Sequence, residues 1–188
     1  MSDQEFAQNY LADLGSLLPR LDSGQVAQAI QTLRTARDVG RTVYICGNGG
    51  SASIASQMVV DIVKGASLRK ETRFKMIGLT DSMATLSAYA NDEGYETVFV
   101  EPLKNFAEAG DVLIAISGSG NSPNVLKAVE YANEIGCHSI GLTSGESGRL
   151  RESVTLPLLV PSKHMGRLED CFFILTHVLC YAFMENDA

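Results

Sequence analysis

One six-residue stretch constrains this chain more than any other: Ser117-Gly118-Ser119-Gly120-Asn121-Ser122. It follows the apolar run 112–116 and precedes a helical pattern that starts at Pro123. A buried strand, a hydroxyl-rich glycine turn and a helix start together build an anion cradle. Glycine lets the backbone turn tightly and approach a ligand. The helix start offers unpaired N–H groups and the positive end of its dipole. Serine hydroxyls can donate to the same oxygens. Phosphate is the natural guest. No lysine lies within the loop, so it is not a nucleotide P-loop.

The rest of the pattern agrees with an α/β chain. Short apolar runs lie at 42–46, 75–79, 112–116, 138–142 and 156–160, and the first four are each followed by Gly, Ser or Thr. Helical periodicity falls between and after them, at 52–65, 82–90, 98–107, 123–135 and 165–184. That alternation predicts a five-stranded parallel sheet with helices on both faces, a three-layer αβα sandwich. The polar turns at 47–51, 80–82, 117–122 and 143–148 then share the carboxyl edge of the sheet, where such folds bind ligands. Two helices precede the first strand. One spans 3–21, with Phe6, Tyr10, Leu14, Leu17 and Leu21 at helical spacing. The other is capped by Ser23 and stopped at Gly40. They can cover a sheet face or a partner subunit. With no repeat or linker, residues 1–188 read as one domain, a helical pair at 1–40 and an α/β core with its final helix at 41–188.

A net charge of −7 argues against a broad nucleic-acid surface. The four cysteines, Cys46, Cys137, Cys171 and Cys180, form no CxxC pair and read as buried structural thiols. The acidic start Met1-Ser2-Asp3-Gln4-Glu5 carries no signal peptide, and no apolar run approaches the ~20 residues of a membrane span. A cytoplasmic location with no membrane partner is the expectation.

A second glycine turn, Gly47-Asn48-Gly49-Gly50-Ser51, follows the first strand. Its spacing is not GxGxxG, because Ala52 stands where the last glycine would be. No nucleotide cofactor is therefore expected. Two serine–glycine turns on one sheet edge point to a shared sugar-phosphate site.

These paired motifs, GNGGS and SxSGNS, with Asn91-Asp92, the run 109–113 and Gly141-Leu142-Thr143, resemble the sugar isomerase (SIS) domain family over nearly the whole chain. Similarity is greatest to the family's heptose-phosphate isomerases. The resemblance implies an aldose–ketose isomerase that converts sedoheptulose 7-phosphate to D-glycero-D-manno-heptose 7-phosphate by proton transfer between C1 and C2. It implies substrate contacts from Asn48, Gly49, Gly50, Ser51, Asp92, Ser117, Gly118, Ser119, Ser122 and Glu169. Gly118 stands where those enzymes usually have Thr. Asp61 and His177 match the catalytic pair, with Asp61 in place of a glutamate and shorter in reach by about 1.5 Å. A divalent metal, zinc by resemblance, would be held by Gln57, Asp61, Glu169 and His177, where Gln57 replaces the usual histidine and Glu169 the usual glutamine. The family further implies a homotetramer with active sites between subunits.

The final helix is apolar nearly all round from Cys171 to Phe183, so it belongs in the core or at a subunit interface. His177 within it is either a satisfied core residue or the catalytic acid. His138 reads as structural, and His164 is a candidate for a neighbouring subunit's site. Lys64, Arg69, Lys70 and Arg73 form a solvated loop or steer an anionic substrate, and Arg167 is better placed for the second task. A different class of function remains open on the altered residues. It is a non-catalytic SIS protein that binds a sugar phosphate or a protein partner such as the replication initiator.

Overall fold

The computed structural model describes residues 1–146 and 148–186; residue 147 of the expected 143–148 turn and the last two residues of the chain lie outside the described residues. Capping chemistry opens the chain. Helix α1 (Asp3–Leu17) begins at a capping box, in which the Ser2 hydroxyl accepts from Glu5 N and the Glu5 carboxylate accepts from Ser2 N. The helix ends at Leu17 rather than at 21, because Pro19 leaves only a 3-10 turn at Leu18–Arg20. Helix α2 (Ser23–Asp38) is capped by Asp22 rather than by Ser23. The Asp22 carboxylate accepts from Gly24 N and Gln25 N, so Ser23 is already helical.

Strands β1 (Thr42–Gly47), β2 (Lys75–Gly78), β3 (Val112–Ser117), β4 (His138–Ser144) and β5 (Leu156–Val160) form one parallel sheet in the order β2-β1-β3-β4-β5. Every residue of the central β3 is buried, which is why it reads as an unbroken apolar run. Its side chains alternate. Val112, Ile114 and Ile116 face one layer, and Leu113 and Ala115 face the other.

The first layer holds α2, α3 (Gly50–Val60) and α8 (Met165–Glu185); the second holds α5 (Val100–Phe106) and α6 (Pro123–Glu134). Helix α4 (Met83–Asp92) and the 3-10 turn Tyr95–Thr97 lead into α5. Helix α3 starts at Gly50, two residues before the periodic pattern suggests. A four-residue helix, α7 (Leu150–Ser153), is too short for periodicity to reveal. Helix α8 is not buried all round. Phe172, Leu175, Leu179 and Phe183 enter the core, whereas His177, Val178 and Tyr181 form an open stripe on this chain.

The segment before α7 props the turn after β3. Leu150 N donates to Gly120 O at 2.9 Å, and Arg149 N donates to Asn121 Oδ1 at 3.2 Å. Gly148 has φ +99°, and a β-carbon there would run into the Ser119 carbonyl oxygen and the Gly120 backbone. Gly148→Ala is therefore expected to cost about 2 kcal/mol, read as a fall of roughly 4–8 °C in Tm. An unchanged melting curve would refute this account of the turn.

Candidate functional site

Strand order turns back between β1 and β3, and the chain leaves those strands toward opposite layers, to α3 and to α6. A crevice must open there. It holds a pocket of about 320 Å³, walled by the 48–51 turn on one side and the 117–119 turn with Ser122 on the other. Met165 and Glu169 close it from α8. Larger clefts of about 530 and 480 Å³ flank α6, but the first gathers neither glycine turn.

The pocket's chemistry suits an anion. Helices α3, α6 and α8 all begin at it, so their positive dipole ends converge. The Ser51 and Ser117 hydroxyls sit in buried positions. Ser117 Oγ accepts from Gly120 N at 3.1 Å and lies 3.1 Å from Ser122 Oγ. Ser119 Oγ accepts from Asn121 N at 3.3 Å, which shapes the turn. Among the described residues the wall holds no lysine or arginine. Its one carboxylate, Glu169, lies against Gly50 at the start of α3, so close that a β-carbon on Gly50 would collide with it. At Gly118 the space of a side chain is filled by Met165, whose sulfur would lie 2.6 Å from an added β-carbon.

A second polar group lies further down α3 and α8, which run side by side in the same direction. Asp61 Oδ2 and His177 Nε2 are 3.6 Å apart, and Gln57 Nε2 donates to Asp61 Oδ1 at 3.1 Å. Asp61 opens a π-helical turn (Asp61–Gly65), closed by Ala66 N donating to Asp61 O at 2.8 Å. Such widened turns recur at functional sites, and periodicity in the sequence carries no sign of one. Val60 and Val63 flank Asp61 along the chain and are exposed, as are Val178 and Tyr181 on α8, where the Tyr181 ring meets the His177 ring edge-on.

The four residues expected to hold a metal ion are split. Glu169 precedes His177 by eight residues, about 12 Å along the axis and 80° around it. Among the described residues no three His, Cys, Asp or Glu side chains stand close enough to share an ion. Within one chain, one carboxylate, one imidazole and the Gln57 carboxamide fall short of the four protein ligands of a closed zinc site. The cysteines offer no alternative. All four are buried, and burial pushes the Cys46 and Cys180 thiols up to about 12.

Several other candidates have structural partners. Asp92 ends α4, accepts from Asn91 Nδ2 at 2.7 Å and is not in the pocket wall. His164 caps α8, its Nδ1 accepting from Arg167 N at 3.3 Å. Arg167 pairs with Asp13 at 2.6 Å and lies over the Tyr10 ring, tying α1 to α8 rather than facing the pocket. The basic residues of the 64–73 segment are exposed, and His138 lies exposed at the opposite, amino end of β4. Two residues that sequence reasoning passed over, Asn124 and Tyr95, hydrogen-bond to Asn48 in the pocket wall.

Known proteins share this arrangement. The family model described as "SIS domain" matches residues 9–144. A phosphoheptose isomerase of Helicobacter pylori is 34% identical over 182 residues, 96% of this chain and 94% of that protein. One from Geotalea daltonii is 35% identical over 158 residues, 84% and 82% of the two chains. Among solved structures, phosphoheptose isomerases from Francisella tularensis and Neisseria gonorrhoeae superpose with TM-scores of 0.91 and 0.89 at 26% and 27% identity. The first match covers 98% of this chain and 100% of the other, the second 97% and 98%. With the family model spanning both glycine turns and the sheet between them, the chain belongs to the SIS domain family.

Proposed function

We infer that this chain is a phosphosugar aldose–ketose isomerase that interconverts sedoheptulose 7-phosphate and D-glycero-D-manno-heptose 7-phosphate. The observation that carries the reading is the pocket at the converging starts of α3, α6 and α8, a cradle for phosphate without a nucleotide-binding lysine. Similarity to phosphoheptose isomerases along almost the whole chain supports the substrate. Residues 1–188 act as one unit in this reading, in the cytoplasm.

Ser51, Ser117, Ser119 and Ser122 hold the phosphate, with the amides at Gly49, Gly50 and Gly118. Glu169 can only accept hydrogen bonds when ionised, so it suits sugar hydroxyls rather than phosphate oxygens. Asp92, at the end of α4 and outside the pocket wall of its own chain, is kept in this reading as a sugar contact. At the reacting end, Asp61 takes the proton from C1 while His177 donates one to the C2 oxygen, giving an enediol. The carboxyl then returns its proton to C2, and the imidazole accepts the proton of the C1 hydroxyl, leaving an aldehyde at C1. Positioned acid–base groups of this kind contribute about 10²–10⁴-fold. Gln57 fixes the Asp61 carboxylate so that Oδ2 faces His177. The retained carboxylate–imidazole pair favours catalysis over a purely binding role.

The catalytic centre is completed between subunits of a homotetramer. The 80° turn between Glu169 and His177 and the exposed apolar rim around the pair both support this. A single chain leaves that rim in water.

Ser119→Ala removes a donor to a charged oxygen, so Kd for sedoheptulose 7-phosphate should rise about 10- to 100-fold by calorimetry. His177→Gln should leave that Kd within about threefold and lower kcat by about 10²–10⁴. If His177→Gln turns over normally, the acid–base assignment is wrong. Co-expressing the two variants should regain part of the lost activity, since some mixed sites pair an intact phosphate pocket with an intact Asp61–His177 couple. No recovery in mixed oligomers would place each site within one subunit, and a monomeric mass by light scattering would exclude the shared site altogether.

A further inference from the structure

Asn48 belongs to the pocket wall, and its carboxamide is held from two directions. Asn48 Oδ1 accepts from the Tyr95 hydroxyl at 2.9 Å and from Asn124 Nδ2 at 2.9 Å. Asn48 Nδ2 donates to Asn124 Oδ1 at 3.0 Å, and Asn124 Oδ1 also accepts from Val125 N at 3.0 Å. Asn124 is 2% exposed, so its share of this network is shielded from water. The accounting for Asn48 is then closed on one side. A carboxamide oxygen has two lone pairs and a carboxamide nitrogen two hydrogens. Both lone pairs are used and one hydrogen is used, which leaves a single N–H.

We propose that Asn124 and Tyr95 are positioning residues for the sugar-phosphate site, which lock the Asn48 carboxamide so that it meets the substrate as a hydrogen-bond donor. This rests on the isomerase reading above for the identity of the substrate. The three residues come from separate places: the turn after β1, the 3-10 turn Tyr95–Thr97 and the second residue of α6. They tie the two sides of the crevice together. A free carboxamide can rotate and offer either its oxygen or its nitrogen. Here rotation would break the pair with Asn124 and the bond from Tyr95 together. A donor suits the carbonyl and hydroxyl oxygens of the sugar chain. Tyr95 is half exposed, so removing its hydroxyl leaves the core untouched.

The test is a double-mutant cycle in binding, read by calorimetry with sedoheptulose 7-phosphate and separately with inorganic phosphate. Tyr95→Phe should raise Kd for the sugar phosphate about 3- to 10-fold in the otherwise native protein and change it by less than about 1.5-fold in an Asn48→Ala background. Equal losses in both backgrounds, or no loss in either, would overturn the proposal. The affinity for inorganic phosphate should stay within about twofold in Tyr95→Phe if Asn48 reads the sugar end; a parallel loss for both ligands would mean general damage to the site and would overturn it too. Wild-type turnover is measured alongside. Protein that binds the sugar phosphate without isomerising it refutes the isomerase reading while leaving the cycle decisive, and protein that binds no sugar phosphate refutes both.

Discussion

Reversal of strand order between β1 and β3 is the constraint from which the functional geometry follows. A parallel sheet needs its crossovers on the faces. When consecutive crossovers go to opposite faces, the two loops diverge and cannot fill the space between them. Here those loops are the serine–glycine turns, and the helices that follow them point their starts at the gap. Helix α8 returns along α3 and adds a third start. Each dipole is worth only about 0.3–1 kcal/mol at an exposed site and up to ~2 when partly buried. Their convergence, with buried hydroxyls between them, replaces the lysine or arginine that an isolated phosphate site would need.

The parallel run of α3 and α8 sets the second half of the site. Gly50 lies against Glu169, Asp61 faces His177, and Gly65 meets Met184. Two helices in such register form a ruler. The distance from the Glu169 level to the His177 level is about 12 Å of helix rise. One chain therefore keeps its phosphate pocket and its Asp61–His177 pair at separate levels, a separation that the proposed sharing of the site between subunits accounts for.

Much of this was legible in the sequence because the signals are local. Apolar runs such as 112–116 mark buried strands, and a serine–glycine turn followed by Pro123 marks a helix start with an anion site. The five strands and both glycine turns could be read in that way. What failed was decided by partners distant in the chain or by backbone detail. Asp22 rather than Ser23 caps α2 because the choice between adjacent capping residues depends on where the chain turns after Pro19. The apolar run of α8 left core and subunit interface both open, because composition cannot say which side of a helix lacks a neighbour within its own chain. Resemblance groups Glu169 with His177, whereas helix geometry within one chain takes the first to the pocket and the second to Asp61.

Asn124 shows most clearly why a site exceeds its motifs. In sequence it is one polar residue after a proline, an unremarkable second position of a helix. Its importance comes from meeting Asn48, 76 positions earlier, across the crevice. The amide–amide pair gives each carboxamide one donated and one accepted bond, and a buried amide without that partner would cost about 1–3 kcal/mol. The pair is therefore stable only if both turns are correctly placed, and both turns are held correctly in part by the pair. The same bonds that bridge the crevice, where the sheet order reverses, also decide which atom of Asn48 faces the ligand.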